Sequence, residues 1–498
     1  MPIVQTAAGA LEGFIDNGIA TFLGVPYAAP ITPERRFSAP QPVESWSGVR
    51  KAVRLSSVCP QIPTYGPVGT AAASALETGT DFLTVNVRTP ALEGAAPVLV
   101  WLHGGGYAVG SANEPVLQSG AFAASGVVEV TVNYRLGALG FLQLKDGSPA
   151  NRGLLDQSAA LEWVRDNIAA FGGDPARVTL AGRSAGGFAV ATLMAMPLAR
   201  GLFAKAMPQS GASIANISPE TANRVTERFL AQLGIDEAGL HDAPIELLLR
   251  AQKEICDTSY NFHDFARDGS VAMLGVPFQP VFDDRTLPEH PDTAAAHGRT
   301  APVPMMIGCT TAEYLTHATV QPEMDFEVAA RLLDPRVRAM GVTGMGIVQK
   351  YRAALPEHTP RGIWRAVAGD LVFQNPTTKF AGLHGRHQPV YKYLYGPIEA
   401  DELGAAHGAE VGSVWYRKGM DISALPARQV VHAPEQARVV HEMWVSFIRD
   451  EVPTLPQGRT WPRYDGEPRV AHILDGQVEI VPDDFARRVA LWDAEFGA

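Results

Sequence analysis

Residues Val98-Leu99-Val100-Trp101-Leu102 form an unbroken apolar run of strand length, which predicts a buried strand. Val128, Val130, Val132 and Tyr134 alternate with Glu129, Thr131 and Asn133, a period of two that predicts another. Leu161, Val164 and Ile168 fall on one face of a helix that must stop before Phe171-Gly172-Gly173-Asp174-Pro175. A further strand is expected at 178–181, helices at 220–233 and 244–252, and strands at 303–308 and 390–394. Asp475-Gly476, between His472-Ile473-Leu474 and Val478-Glu479-Ile480, signals a hairpin. Strands that alternate with helices predict an α/β fold with parallel pairing and right-handed crossovers. No repeat, Gly/Ser tract or Pro-rich linker divides the chain, so 1–498 reads as one unit. The helical stretches near 212–275 and 320–385 are expected to lie over the strand ends as cap insertions.

Charge narrows the partners. The 498 residues carry a net charge of −11 without a block of Lys or Arg, which disfavours nucleic acid and anionic membranes. The start, Met1-Pro2-Ile3-Val4-Gln5-Thr6, has no basic or apolar leader pattern, and no segment reaches 18 uninterrupted apolar residues, so a cytoplasmic location is expected. Cys59, Cys256 and Cys309 are few, odd in number and far apart, which predicts buried free thiols rather than a disulfide framework or a metal site.

Two glycine-rich motifs follow predicted strands. Gly182-Arg183-Ser184-Ala185-Gly186 comes after the strand at 178–181 and before a run of small residues. A serine there sits on a sharp strand-to-helix turn that exposes its hydroxyl, with the flanking glycines removing side chains that would collide. His103-Gly104-Gly105-Gly106 follows the run at 98–102. Its backbone N–H groups at Gly105 and Gly106, joined by that of Ala185, could form an oxyanion hole, in which each lost donor raises the barrier by about 2.7–4 kcal/mol. In open parallel sheets, sites form at the carboxyl ends of strands, where both motifs lie.

Further blocks carry a family resemblance. They are Phe22-Leu23-Gly24-Val25-Pro26-Tyr27-Ala28, Arg36-Phe37 with Trp46, Asn133-Tyr134-Arg135-Leu136-Gly137, Gly153-Leu154-Leu155-Asp156-Gln157, Gly201-Leu202-Phe203 and Gln209-Ser210-Gly211. With the two glycine motifs they resemble the type-B carboxylesterases over nearly the whole length. The resemblance implies an α/β-hydrolase fold: a large, mostly parallel central sheet flanked by helices, with cap insertions. It also implies a Ser-Glu-His triad. Gly308-Cys309-Thr310-Thr311-Ala312-Glu313 resembles the turn that supplies the acid, and Gly404-Ala405-Ala406-His407-Gly408-Ala409-Glu410 the segment that supplies the base. Ser184, Glu313 and His407 are therefore the expected catalytic residues, working without metal or organic cofactor on a small-molecule carboxylic ester. By the same resemblance Asp283 is structural, Arg135 and Asp156 form a structural ion pair, and His103 orders the glycine loop.

Departures from the family pattern sharpen the expectations. The residue before the nucleophile is usually Glu and here is Arg183, which is expected either to favour substrates with an anionic group near the ester or to pair with a nearby carboxylate. Gly79-Thr80-Asp81-Phe82 replaces Ser-Glu-Asp-Cys, leaving Cys59 without a disulfide partner and Arg36 without its glutamate. Carbamate or amide hydrolysis and acyl transfer would use the same acyl-enzyme. A binding module that kept the fold and lost catalysis is the remaining class, and the presence of all three triad positions speaks against it.

Overall fold

The computed structural model describes residues 1–62, 77–314, 323–397, 404–420, 433–450, 452–465, 468–474 and 476–493. Its centre is an eleven-stranded sheet. In chain order the strands are β1 (Phe14–Asp16), β2 (Ile19–Pro26), β3 (Thr84–Thr89), β4 (Ala96–Leu102), β5 (Val128–Val132), β6 (Gly173–Arg183), β7 (Lys205–Gln209), β8 (Met305–Thr310), β9 (Val390–Tyr395), β10 (Arg469–Leu474) and β11 (Gln477–Pro482). Their spatial order is β11-β10-β9-β8-β7-β6-β4-β5-β3-β2-β1. From β10 to β5 neighbours run parallel, while β11 and the N-terminal strands β3, β2 and β1 pair antiparallel.

Parallel strands covered on both faces must be apolar on both, which accounts for the run at 98–102. Val98, Val100 and Leu102 enter one core, and Leu99 and Trp101 the other. The longer helices are α1 (Arg152–Asn167), α2 (Ala185–Ala195), α3 (Pro219–Leu233), α4 (Ile245–Asn261), α5 (Phe326–Val337), α6 (Gly344–Ala354), α7 (Pro360–Gly369), α8 (Asn375–Gly385), α9 (Pro434–Arg449) and α10 (Asp484–Asp493). Leu154, Leu161 and Val164 of α1 and Val190 and Leu193 of α2 pack in the first core; Val440, Trp444 and Phe447 of α9 pack in the second.

The expected elements are present with shifted ends. In β5 the polar members of the alternation face a core rather than water: Glu129 and Thr131 are fully buried. Beta6 begins at Gly173, five residues before the apolar stretch, because Pro175, Ala176 and Arg177 are exposed and gave no apolar signal. The strand expected at 303–308 runs from Met305 to Thr310, since it takes its ladder from β9 through Tyr395. Alpha4 continues past 252 to Asn261, with Ile255, Cys256 and Ser259 extending the buried face of Leu248, Ala251 and Gln252. The hairpin expected near 475 forms between β10 and β11, and Asp475 itself lies outside the described residues. Of the stretch 320–385, residues 320–322 lie outside the description and α8 packs along β8 and β9.

Buried polar side chains tie the scaffold together. Arg135 forms a two-pronged ion pair with Asp156, at 2.6 and 2.8 Å, and reaches the carbonyls of Arg36 and Ser38. Arg36, whose partner the sequence left open, donates to the carbonyls of Leu240 and Ala243. Asp283 accepts from the backbone of Arg285, Thr286 and Leu287 and from the Asn151 amide, the pattern of a turn-building residue. All three cysteines are buried and free.

Candidate active site

Four adjacent parallel strands, β6 to β9, deliver the site at their carboxyl ends. Ser184 follows β6, Ser210 follows β7, Glu313 lies beyond β8 and His407 lies in the loop after β9. Ser184 adopts φ 58°, ψ −121°, a conformation that non-glycine residues occupy at a cost of about 1–3 kcal/mol. The elbow is held by the Ser184 N–H to Gln209 O (2.9 Å) and the Ser184 carbonyl to Phe188 N–H (2.8 Å). A Cβ on Gly186 would stand 2.0 Å from the Leu102 carbonyl oxygen, so only glycine lets α2 start this close to the end of β4.

The Gly104–106 loop leans on the elbow, with the Gly104 Cβ position 3.1 Å from the Ser184 Cβ. Gly105 has φ 125° and its Cβ position would be 1.8 Å from the Val109 carbonyl oxygen. Among the described residues, the N–H groups of Gly105, Gly106 and Ala185 donate to no protein acceptor, which leaves three donors beside the serine. His103 is stacked on Tyr134 with ring centroids 4.4 Å apart, and its Nδ1 lies 2.8 Å from the Gly104 carbonyl. Burial lowers the His103 imidazole to about 4, with Arg183 adding to the effect, so it is neutral at pH 7 and shapes the loop.

Glu313 is buried and fully engaged. Its Oε2 is 2.5 Å from His407 Nδ1, while Oε1 accepts from the Ser210 hydroxyl (2.7 Å) and the Thr310 N–H (2.8 Å). A second contact orients His407: the Phe373 ring lies 4.6 Å from it, and Phe373 also stacks at 6.0 Å on Phe188 of α2. Phe373 belongs to a π-helical turn, Asp370–Gln374, inserted between α7 and α8. Such turns redirect side chains within an otherwise regular helix.

The candidate site residues of the sequence thus lie in one neighbourhood, while Arg135, Asp156 and Asp283 brace the scaffold. Ser184, the glycine loop and Arg183 meet at the elbow, and the Cβ position of Gly408, next to His407, is 2.4 Å from Arg183 Nη1. Three contributors escaped sequence reasoning. Ser210 sat in a quoted motif with no role attached, Glu410 closed the histidine segment without one, and Phe373 carried no signal because a π-turn has no apolar period of its own.

The family model described as the carboxylesterase family matches residues 1–492. A para-nitrobenzyl esterase of Bacillus subtilis (strain 168) is 35% identical over 97% of this chain and 96% of that protein. A phenmedipham hydrolase of Pseudarthrobacter oxydans is 32% identical over 97% of each chain. Among solved structures, a thermophilic para-nitrobenzyl esterase superposes with a TM-score of 0.84 at 31% identity, covering 98% of this chain and 99% of that one. The match extends from the first strand to the last helix, and with it the chain belongs to the carboxylesterase family, carboxylic ester hydrolases built on the α/β-hydrolase fold.

Proposed function

We propose that the chain hydrolyses small to medium carboxylic esters through an acyl-enzyme on Ser184, with His407 as the base and Glu313 as its orienting acid. The observation that carries this reading is the 2.5 Å contact between His407 Nδ1 and Glu313 Oε2 beside a serine held at φ 58°. With Nδ1 engaged, Nε2 is the nitrogen that takes the Ser184 proton as the hydroxyl attacks the ester carbonyl. The N–H groups of Gly105, Gly106 and Ala185 receive the oxyanion. His407 then protonates the leaving alcohol, and water, activated by the same imidazole, releases the acid. Glu313 stabilises the imidazolium in both half-reactions, so these side chains and amides suffice without a cofactor.

Arg183 enters this reading as the residue that senses charge around the ester. A comparison of a neutral ester with its carboxylated analogue on wild type and Arg183→Glu measures that role. Of the expected cap insertions at 212–275 and 320–385, helices α3 to α7 are proposed as cap elements of the single catalytic unit, while α8 packs along the sheet. A cytoplasmic location without a nucleic-acid or membrane partner belongs to this reading, on the grounds of the three free thiols and the acidic charge balance. No described helix is long and apolar enough to cross a membrane. Amide or carbamate cleavage and acyl transfer share the acyl-enzyme, and the relative named phenmedipham hydrolase makes that compound a probe to run beside esters.

The test is hydrolysis of para-nitrophenyl acetate, butyrate and octanoate by wild type and Ser184→Ala, with an organophosphate to titrate the serine. Activity should fall by about 10⁶-fold in the variant. An inert wild type whose Ser184 takes up no organophosphate would overturn the reading and bring forward a binding module.

A further inference from the structure

Arg183 occupies an unusual place for a cation. Its guanidinium lies between the two glycine loops of the site: the Cβ position of Gly408 is 2.4 Å from Nη1 and that of Gly104 is 3.1 Å from Nη2. Two residues beyond Gly408, Glu410 is fully buried, and among the described residues neither of its carboxylate oxygens has a hydrogen-bond partner. An ionised carboxylate in that setting needs a counter-charge. Among the described residues, the charged and titratable groups that act on it electrostatically are Arg183 from the elbow, Glu313 from beyond β8, Cys309 within β8 and Tyr393 within β9. Arg183 is the cation among them, and its charge also acts on His103.

We propose that Arg183 is a positioning residue which, bridging the Gly104 and Gly408 loops, serves as the counter-ion of Glu410 and so sets the charge beside His407 and the attraction of the site for anionic esters. This rests on Ser184 and His407 acting as described above. Burial, reinforced by Glu313, lifts the Glu410 carboxyl to about 7, and Arg183 opposes the rise. Above that range the pair is neutral and the site is indifferent to substrate charge. Below it Glu410 holds a proton, and the Arg183 charge stands unopposed.

The experiment is a set of pH profiles of kcat/KM between pH 5 and 9 for a neutral nitrophenyl ester and its carboxylated analogue, on wild type, Arg183→Met, Arg183→Lys and Glu410→Gln. In wild type the preference for the anionic ester should rise several-fold as pH falls from 8 to 6. In Glu410→Gln it should stay high at every pH, and in Arg183→Met it should vanish. On the neutral ester, the acid limb should stay within a few tenths of a pH unit in Glu410→Gln, whose amide mimics the protonated acid, and should move up by about one pH unit in Arg183→Met, the effect of a unit charge several ångströms away. Arg183→Lys, which keeps the charge, should restore the limb.

A merely structural Arg183 would lower rates without moving the limb, and that result would overturn the proposal, as would an ester preference in Glu410→Gln that still titrates. Organophosphate uptake by Ser184 separates the failures. Wild type that takes up the reagent while the profiles stay fixed defeats this inference alone; wild type that takes up none defeats the triad reading beneath it.

Discussion

Glu313 shows how much a single side chain depends on neighbours that the local sequence does not advertise. Its two oxygens serve His407, Ser210 and the Thr310 amide at once, so the carboxylate has little freedom to rotate away from the imidazole. Removing the Ser210 hydroxyl takes away one buried hydrogen bond to a charged acceptor, worth about 1.5–3 kcal/mol. Ser210→Ala should therefore lower kcat by about one to two powers of ten, with organophosphate stoichiometry at Ser184 unchanged; a kcat equal to wild type would show that Ser210 does not hold Glu313. The serine motif at 182–186 and the glycine loop at 103–106 were legible from residue types, because glycine at those spacings has a steric meaning. Glu313 and His407 were legible through family resemblance alone. A carboxylate and an imidazole separated by 94 positions carry no local mark of their meeting.

Among the elements, the turn from β6 into α2 concentrates the constraint. Ser184 keeps a left-handed φ because two hydrogen bonds and the contact between Gly186 and the Leu102 carbonyl over-determine it. Gly186→Ala would place a methyl 2.0 Å from that oxygen, which requires α2 or β4 to move. The variant should melt several degrees lower and lose organophosphate labelling; unchanged labelling would mean that the elbow tolerates a wider approach. Element types followed from apolar spacing. Their ends did not, because ends are set by partners: Tyr395 of β9 carries β8 out to Thr310, and exposed residues 175–177 carry the start of β6. The π-turn at 370–374 shows the same dependence, since Phe373 is placed by its packing between Phe188 and His407.

For the whole molecule, the sheet between two cores buries polar residues within its central strands, as at Glu129, Thr131 and Thr179. Glu129 in β5 is fully buried; it lies 3.6 Å from Arg88 and accepts from the N–H groups of Phe122 and Ala123. Burial raises its carboxyl to about 7, with Arg88 and the two amides opposing the rise. A carboxyl that holds its proton more tightly when folded adds stability below its ordinary range near 4.5 and loses that contribution as pH climbs through about 7. The unfolding free energy of wild type should therefore fall relative to Glu129→Gln between pH 4.5 and 8, by about 3 kcal/mol at 1.4 kcal/mol per pKa unit. Denaturant melts of both proteins at pH 4.5, 6 and 8 check this, and a difference that does not vary with pH would refute it. By itself the sequence determined the α/β class, the parallel sheet and the two glycine motifs, since apolar period and glycine sterics act over a few residues. Only the tertiary structure decided that Glu129 is buried, that Arg36 ends on the Leu240 and Ala243 carbonyls, that Ser210 braces Glu313 and that Arg183 lies between the Gly104 and Gly408 loops. Those contacts join residues tens to hundreds of positions apart, and they exist because adjacent strands bring their ends together, a proximity that no local pattern encodes.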